Sequence, residues 1–198
     1  MSHLAPPAAV VPAAGASTRM GKPKLLLPWG ETTVLESTLA ALRGGGVEAV
    51  VVVIAPDGPL SSWTPPPGVC CAVNPTPAQG MLSSVFVGLE TLAASARVTL
   101  APDPLLVCPA DLPALRADTV AALLGAYHRE GGIVVPRHGR RRGHPLLIAP
   151  SWQARIPELT PRREHRGVHV VETVGERDDD RAGVRDLRDR VVAGEAQV

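Results

Sequence analysis

Three cations lie within six residues at Arg19, Lys22 and Lys24, directly after the small-residue run Ala13-Ala14-Gly15-Ala16-Ser17-Thr18. Such a run can expose backbone N–H groups to oxygen anions, because no large Cβ substituent blocks the approach. Arg19 adds a planar fork for two phosphate oxygens, and the lysines add point charges. Together they make a polyphosphate-binding loop. Two commoner phosphate motifs are excluded: Gly15 and Gly21 enclose five residues rather than four, and Pro23 follows Lys22 where a P-loop needs Ser or Thr. The second glycine of a dinucleotide fingerprint is also missing.

Two further stretches carry candidate chemistry. Asp111, in Cys108-Pro109-Ala110-Asp111-Leu112-Pro113, follows an apolar run and offers a hard oxygen ligand suited to Mg²⁺. Asn74-Pro75 and Gln79-Gly80-Met81-Leu82-Ser83-Ser84 place amides and hydroxyls where a strand passes into a helix, able to grip a base or ribose.

The elements that must position these groups are legible as an alternation. Val10 and Val11 suit a buried strand just before the loop. Thr33 to Glu36 has capping-box spacing, and Val34, Leu35, Thr38, Leu39 and Leu42 form a helical stripe ending at Gly44-Gly45-Gly46. Ala49–Ile54 is a continuous β-branched run, as in a parallel strand covered on both faces, and Val69–Val73 is a shorter strand. Pro56–Gly68 is a surface loop. Helical spacing returns at Leu82, Val85, Phe86, Leu89 and Leu92, then a strand at Leu105–Cys108. A further helix carries Val120, Leu123, Leu124 and Tyr127, with Asp118 as its expected cap. Strands are expected at Ile133–Val135 and Pro145–Ile148, joined by the basic turn His138–Gly143. The pattern predicts an α/β fold, a three-layer α/β/α Rossmann-like arrangement with a mostly parallel sheet. In such a sheet ligands collect beyond the carboxyl ends of the strands, so the three stretches should converge.

Length and composition agree with one domain over residues 1–198: 45% hydrophobic, 20% charged and only 3% aromatic, so Val, Leu and Ala fill the core. A formal net charge of +1 provides no general attraction to nucleic acid or acidic membranes. Cys70, Cys71 and Cys108 form no C-x-x-C pair and are expected to be buried small hydrophobes. The start of the chain lacks a cationic signal-peptide region and no apolar run reaches the roughly twenty residues of a membrane helix, so a cytoplasmic protein is expected.

The loop Val11-Pro12-Ala13-Ala14-Gly15-Ala16-Ser17-Thr18-Arg19-Met20-Gly21-Lys22-Pro23-Lys24 resembles the signature of nucleotidyltransferases with a MobA-like NTP transferase domain. Its Ala14-Gly15 form is most similar to the molybdenum cofactor cytidylyltransferase branch, whereas the guanylyltransferase branch has Gly-Gly there. The resemblance implies the nucleotide-diphospho-sugar transferase type of fold. It also implies CTP as substrate, a phosphorylated small-molecule acceptor such as molybdopterin, and release of pyrophosphate. It assigns nucleotide binding to Ala13, Ala14, Gly15, Arg19, Lys22, Lys24, Asn74, Gln79, Gly80 and Ser84, and catalysis to Arg19, Lys24 and Asp111. Asp111 and Asp186 are the implied Mg²⁺ ligands, with Asp189 an alternative to Asp186, and His144 of Gly143-His144-Pro145 is implied on the acceptor side. The likeness covers residues 8–150 well. In 151–198 it weakens, since Val184-Arg185-Asp186-Leu187-Arg188-Asp189 has Arg188 where relatives carry a second acidic residue. Two alternatives follow: a nucleotidyltransferase for a sugar 1-phosphate or phospholactate, or a non-catalytic carrier delivering the cofactor to a molybdoenzyme.

Overall fold

A strand enclosed on both faces must be apolar at every position, and Ala8–Pro12 (β1) meets that demand: its first four residues are fully buried. The structure, a computed structural model, describes residues 5–15, 23–95 and 101–156 and two strand segments at 168–172 and 191–192. After β1 come a short hairpin, β2 (Pro28–Trp29) and β3 (Thr32–Thr33), helix α1 (Val34–Gly44), β4 (Ala49–Ile54) and β5 (Val69–Val73). Helix α2 (Met81–Ala94) leads to β6 (Leu105–Val107), and α3 (Ala117–Glu130) leads to β7 (Ile133–His138). The chain continues through β8 (Arg141–Arg142), β9 (Leu146–Ile148), the single turn α4 (Pro150–Gln153), β10 (Val168–Glu172) and β11 (Val191–Val192).

Among the described residues nine strands form one sheet in the order β11-β10-β7-β9-β6-β1-β4-β5, with β8 paired to β7. β6, β1, β4 and β5 run parallel, with Val10 opposite both Val51 of β4 and Val107 of β6. β9 is antiparallel to both β6 and β7. A crossover helix is long enough to join parallel neighbours, while the hairpin at 139–140 and the direct return into β9 reverse the chain.

Alternation of side chains across the strands separates two cores. Ala9, Val11, Val50 and Val52 pack with Leu35, Leu39 and Leu42 of α1 and Val120, Leu123 and Tyr127 of α3. Ala8, Val10, Val51 and Val53 pack with Val85 and Leu92 of α2. The result is the expected three-layer α/β/α arrangement. The 56–68 stretch crosses from β4 to β5 without a helix and is anchored by buried Leu60. Gly88 of α2 lies directly over β1, where a Cβ would come within 2.4 Å of Val10 Cγ1.

Local signals hold for α1, where the Thr33 hydroxyl accepts from the Glu36 N–H and the Glu36 carboxylate accepts from the Thr33 N–H. Hydrogen bonds from the Thr33 and Thr32 side chains hold the Glu36 carboxyl below its usual range. Two expectations are corrected. Asp118 does not cap α3; the cap residue is Arg116, and Asp118 sits in the first turn, ion-paired to the Arg116 guanidinium at 2.9 Å. An acid there already suits the helix dipole, so no cap bond is required. Cys70 and Cys71 are exposed and only Cys108 is buried, because β5 ends the order of described strands and no neighbour covers it there.

The contact over Val10 makes Gly88→Ala an overpacking change; we expect a loss of about 1–3 kcal/mol, measured by urea unfolding followed by circular dichroism.

Candidate active site

Strand order determines where the functional loops open. From β1 the chain moves to β4 and β5 on one side, then returns across β1 to β6 on its other side. The carboxyl ends of β1 and β6 are therefore neighbours at the point where the strand order reverses, the position of the binding crevice in open α/β sheets, and the chains leaving them lead to α1 and α3 on the same face of the sheet. The Ala13 N–H donates to the Val53 carbonyl at 2.7 Å and the Cys108 N–H to the Val10 carbonyl at 3.1 Å, so the ladder continues to the mouth of the crevice.

Lys24 and Asp111 meet there. Their separation in sequence is 87 residues, yet Lys24 Nζ lies 2.8 Å from Asp111 Oδ2. Lys24 starts a one-turn 3-10 helix, Lys24–Leu26, whose Leu25 and Leu26 pack on the α1-side core and fix the outward direction of the lysine. The two side chains are 44% and 42% exposed, so the pair is open to incoming ligands and contributes little to stability.

The Asp111 loop is tied to α1. Thr38, fully buried, donates its hydroxyl toward the Val34 carbonyl at 3.0 Å and the Ala110 carbonyl at 3.2 Å, and Ser37 Oγ donates to the Pro113 carbonyl at 2.8 Å. Sequence reasoning assigned Thr38 to the apolar stripe and passed over Ser37. The available signal was a hydroxyl where the stripe Leu35-Thr38-Leu39-Leu42 called for a hydrocarbon.

Two groups beside Asp111 are kept neutral. Burial pushes the Cys108 thiol up to about 12, with the Asp111 charge adding to the effect, so at neutral pH it is a thiol and not a thiolate nucleophile. Burial also holds the half-buried His144 imidazole below its ordinary range, against the opposing influence of a backbone hydrogen bond with Val107 and the charge of Asp111. Its buried Nδ1 has no hydrogen-bond partner among the described residues. His144 thus lies within electrostatic reach of Asp111 as a neutral imidazole with one buried nitrogen unpartnered among the described residues.

The other assigned residues divide into exposed and internal groups. Ala14 is buried and Gly15 is exposed, and a Cβ on Gly15 would meet no described atom within 4 Å. Gln79 and Gly80 are exposed at the carboxyl end of β5, and Gly80 adopts φ +91°, a conformation that L side chains rarely take. Asn74 and Ser84 are buried and bonded to each other instead: Asn74 Nδ2 donates to Ser83 Oγ at 2.8 Å and Ser84 Oγ at 3.0 Å, while its Oδ1 accepts from the Thr76 N–H at 2.9 Å. These bonds brace the loop that presents Gln79 and Gly80. Arg19, Lys22 and Asp186, and the alternative Asp189, lie outside the described residues. No group of three or more His, Cys, Asp or Glu residues able to hold a metal occurs among the described residues. A lone half-exposed carboxylate fits an ion that keeps waters and shares phosphate oxygens, as Mg²⁺ does.

Comparison with known proteins places these features in a family. The MobA-like NTP transferase domain family matches residues 9–178. The molybdenum cofactor cytidylyltransferase of Escherichia coli K12 is 26% identical over 141 residues, covering 71% of this chain and 68% of that protein. A probable molybdenum cofactor guanylyltransferase of Mycobacterium tuberculosis H37Ra is 35% identical over 178 residues, covering 87% and 84%. Among solved structures, Rv0371c of Mycobacterium tuberculosis H37Rv superposes with a TM-score of 0.68 at 23% identity over 86% of this chain and 90% of that one. Its manganese complex gives 0.62 at 23% identity over 85% and 90%. Among the described residues no helix is long and apolar enough to cross a membrane.

Thr38→Val should lower stability by about 1–2 kcal/mol in urea unfolding, because the Ala110 carbonyl loses a buried donor, and Thr38→Ser should restore most of it. Alkylation of the native protein at pH 8, read by mass spectrometry, should modify Cys70 first, Cys71 more slowly because burial raises its thiol, and Cys108 only after denaturation.

Proposed function

Since this chain belongs to the MobA-like NTP transferase domain family, a family of nucleotidyltransferases, we propose that it transfers CMP from CTP to a phosphorylated acceptor of the molybdopterin type and releases pyrophosphate. The observation that carries the reading is the 2.8 Å contact between Lys24 and Asp111 at the switch point of the sheet. It puts a phosphate-binding cation and a hard oxygen ligand side by side.

The reaction needs no nucleophilic side chain. An oxygen of the acceptor phosphate forms a bond to the α-phosphorus, and the bond from that phosphorus to the bridging β-oxygen breaks, its electrons leaving with pyrophosphate. Phosphoryl chemistry of this kind asks for positioning and for charge neutralisation. The backbone of Ala13, Ala14 and Gly15 approaches the triphosphate, Arg19 and Lys22 hold its β- and γ-phosphates, and Lys24 neutralises charge at the α-phosphate. Gln79 and Gly80 face the nucleoside, with Asn74 and Ser84 holding their loop in place. His144, a neutral imidazole within electrostatic reach of Asp111, serves the acceptor. Asp111, with Asp186 as second carboxylate, would hold Mg²⁺, which supplies further neutralisation of phosphate charge when bound.

The base has a second reading. Ala14 favours cytosine, while the relative matched over the longer stretch is named a guanylyltransferase. Turnover with CTP and GTP in parallel distinguishes the two. Lys24→Ala and Asp111→Ala should each keep the fold, with stability changed by less than about 1 kcal/mol because the pair is exposed. Each should lose on the order of 10²- to 10³-fold in pyrophosphate release, by analogy with loss of one preorganised oxyanion donor. Wild-type turnover in either variant would refute the assignment.

A further inference from the structure

The carboxylate assigned to the metal is already taken. Asp111 Oδ2 accepts from the Lys24 ammonium at 2.8 Å, a full charge-assisted contact. Among the described residues no cluster of further ligands stands ready to compensate for it. A divalent cation arriving alone therefore meets a pair of zero net charge, and reaching Oδ2 brings it against a positive nitrogen at contact distance, where like charges repel.

Resting on the reading of Asp111 as the metal ligand, we infer that Lys24 is a cap on Asp111 that an incoming polyphosphate removes, so that the free protein binds divalent cations weakly and takes up its metal together with the nucleotide. The phosphate oxygens give the ammonium a new anionic partner and leave Asp111 bare. Exchange is easy because both side chains are more than two-fifths exposed, so the pair is weak and no buried charge is stranded when it opens. The cap works by occupancy and charge rather than by strength. One lysine thereby has two successive partners, the carboxylate in the free protein and the phosphate in the loaded one.

The order has a chemical benefit. A cation held at Asp111 without nucleotide would leave Lys24 unpaired and pushed away from the place where the α-phosphate must come. With the cap, metal and phosphate charges enter together, and Lys24 and Asp111 each exchange one partner for another.

The test is Mn²⁺ binding to the nucleotide-free full chain, measured by the electron paramagnetic resonance signal of unbound Mn²⁺, with circular dichroism to establish folding. Lys24→Met keeps the length of the side chain and removes its charge, and should tighten Mn²⁺ binding by about tenfold. Lys24→Arg keeps the charge and should remain close to wild type. Asp111→Asn should abolish the gained affinity when combined with Lys24→Met. Unchanged or weaker Mn²⁺ binding in Lys24→Met, or no detectable binding in either protein, overturns the cap. Tightening that survives Asp111→Asn overturns instead the reading of Asp111 as the ligand, so the two failures are distinguishable.

Discussion

The parallel pairing of β1 with β4 on one edge and β6 on the other is the constraint from which the remaining architecture follows. A parallel neighbour can be reached only by a crossover, and a central parallel strand must be covered on both faces. α1 and α2 therefore lie on opposite sides of the sheet, and Gly88 is the residue that lets α2 approach Val10 closely. Because the chain leaves β1 toward one edge and later returns to β6 on the other, the loops after β1 and β6 open side by side at the same end of the sheet. Residues 87 apart in sequence then meet, as Lys24 and Asp111 do.

The charge distribution suits the chemistry of phosphates. Around the Lys24–Asp111 pair the structure suppresses other ionisable groups: Cys108 stays a thiol and His144 stays an uncharged imidazole, both chiefly through burial. Burial of a potential nucleophile is a sound design where the attacking oxygen belongs to the substrate.

Much of this was legible in the residues themselves. The β-branched run at 49–54 and the capping box at Thr33 and Glu36 act through local rules, and both elements form as those rules expect. The meeting of loops followed from the alternation of strands and helices. What escaped depended on distant neighbours. Exposure of Cys70 and Cys71 is a property of β5 being last in the order, which no composition of Val-Cys-Cys-Ala-Val reveals. Asn74 carries the polar chemistry of a ligand contact, but its bonds are taken by Ser83, Ser84 and Thr76. The hydroxyl of Thr38 sits within an apolar stripe, and its partner, the Ala110 carbonyl, lies 72 residues away in the sequence.

That hydroxyl has a single hydrogen and two carbonyls within reach, at 3.0 Å and 3.2 Å. Whichever way the proton turns, the hydroxyl keeps an acceptor, so burying it strands no donor inside α1. The dependence runs the other way: the Ala110 carbonyl, one residue before Asp111, relies on a helix that belongs to a different loop of the sheet, and the position of the carboxylate is therefore tied to the packing of α1.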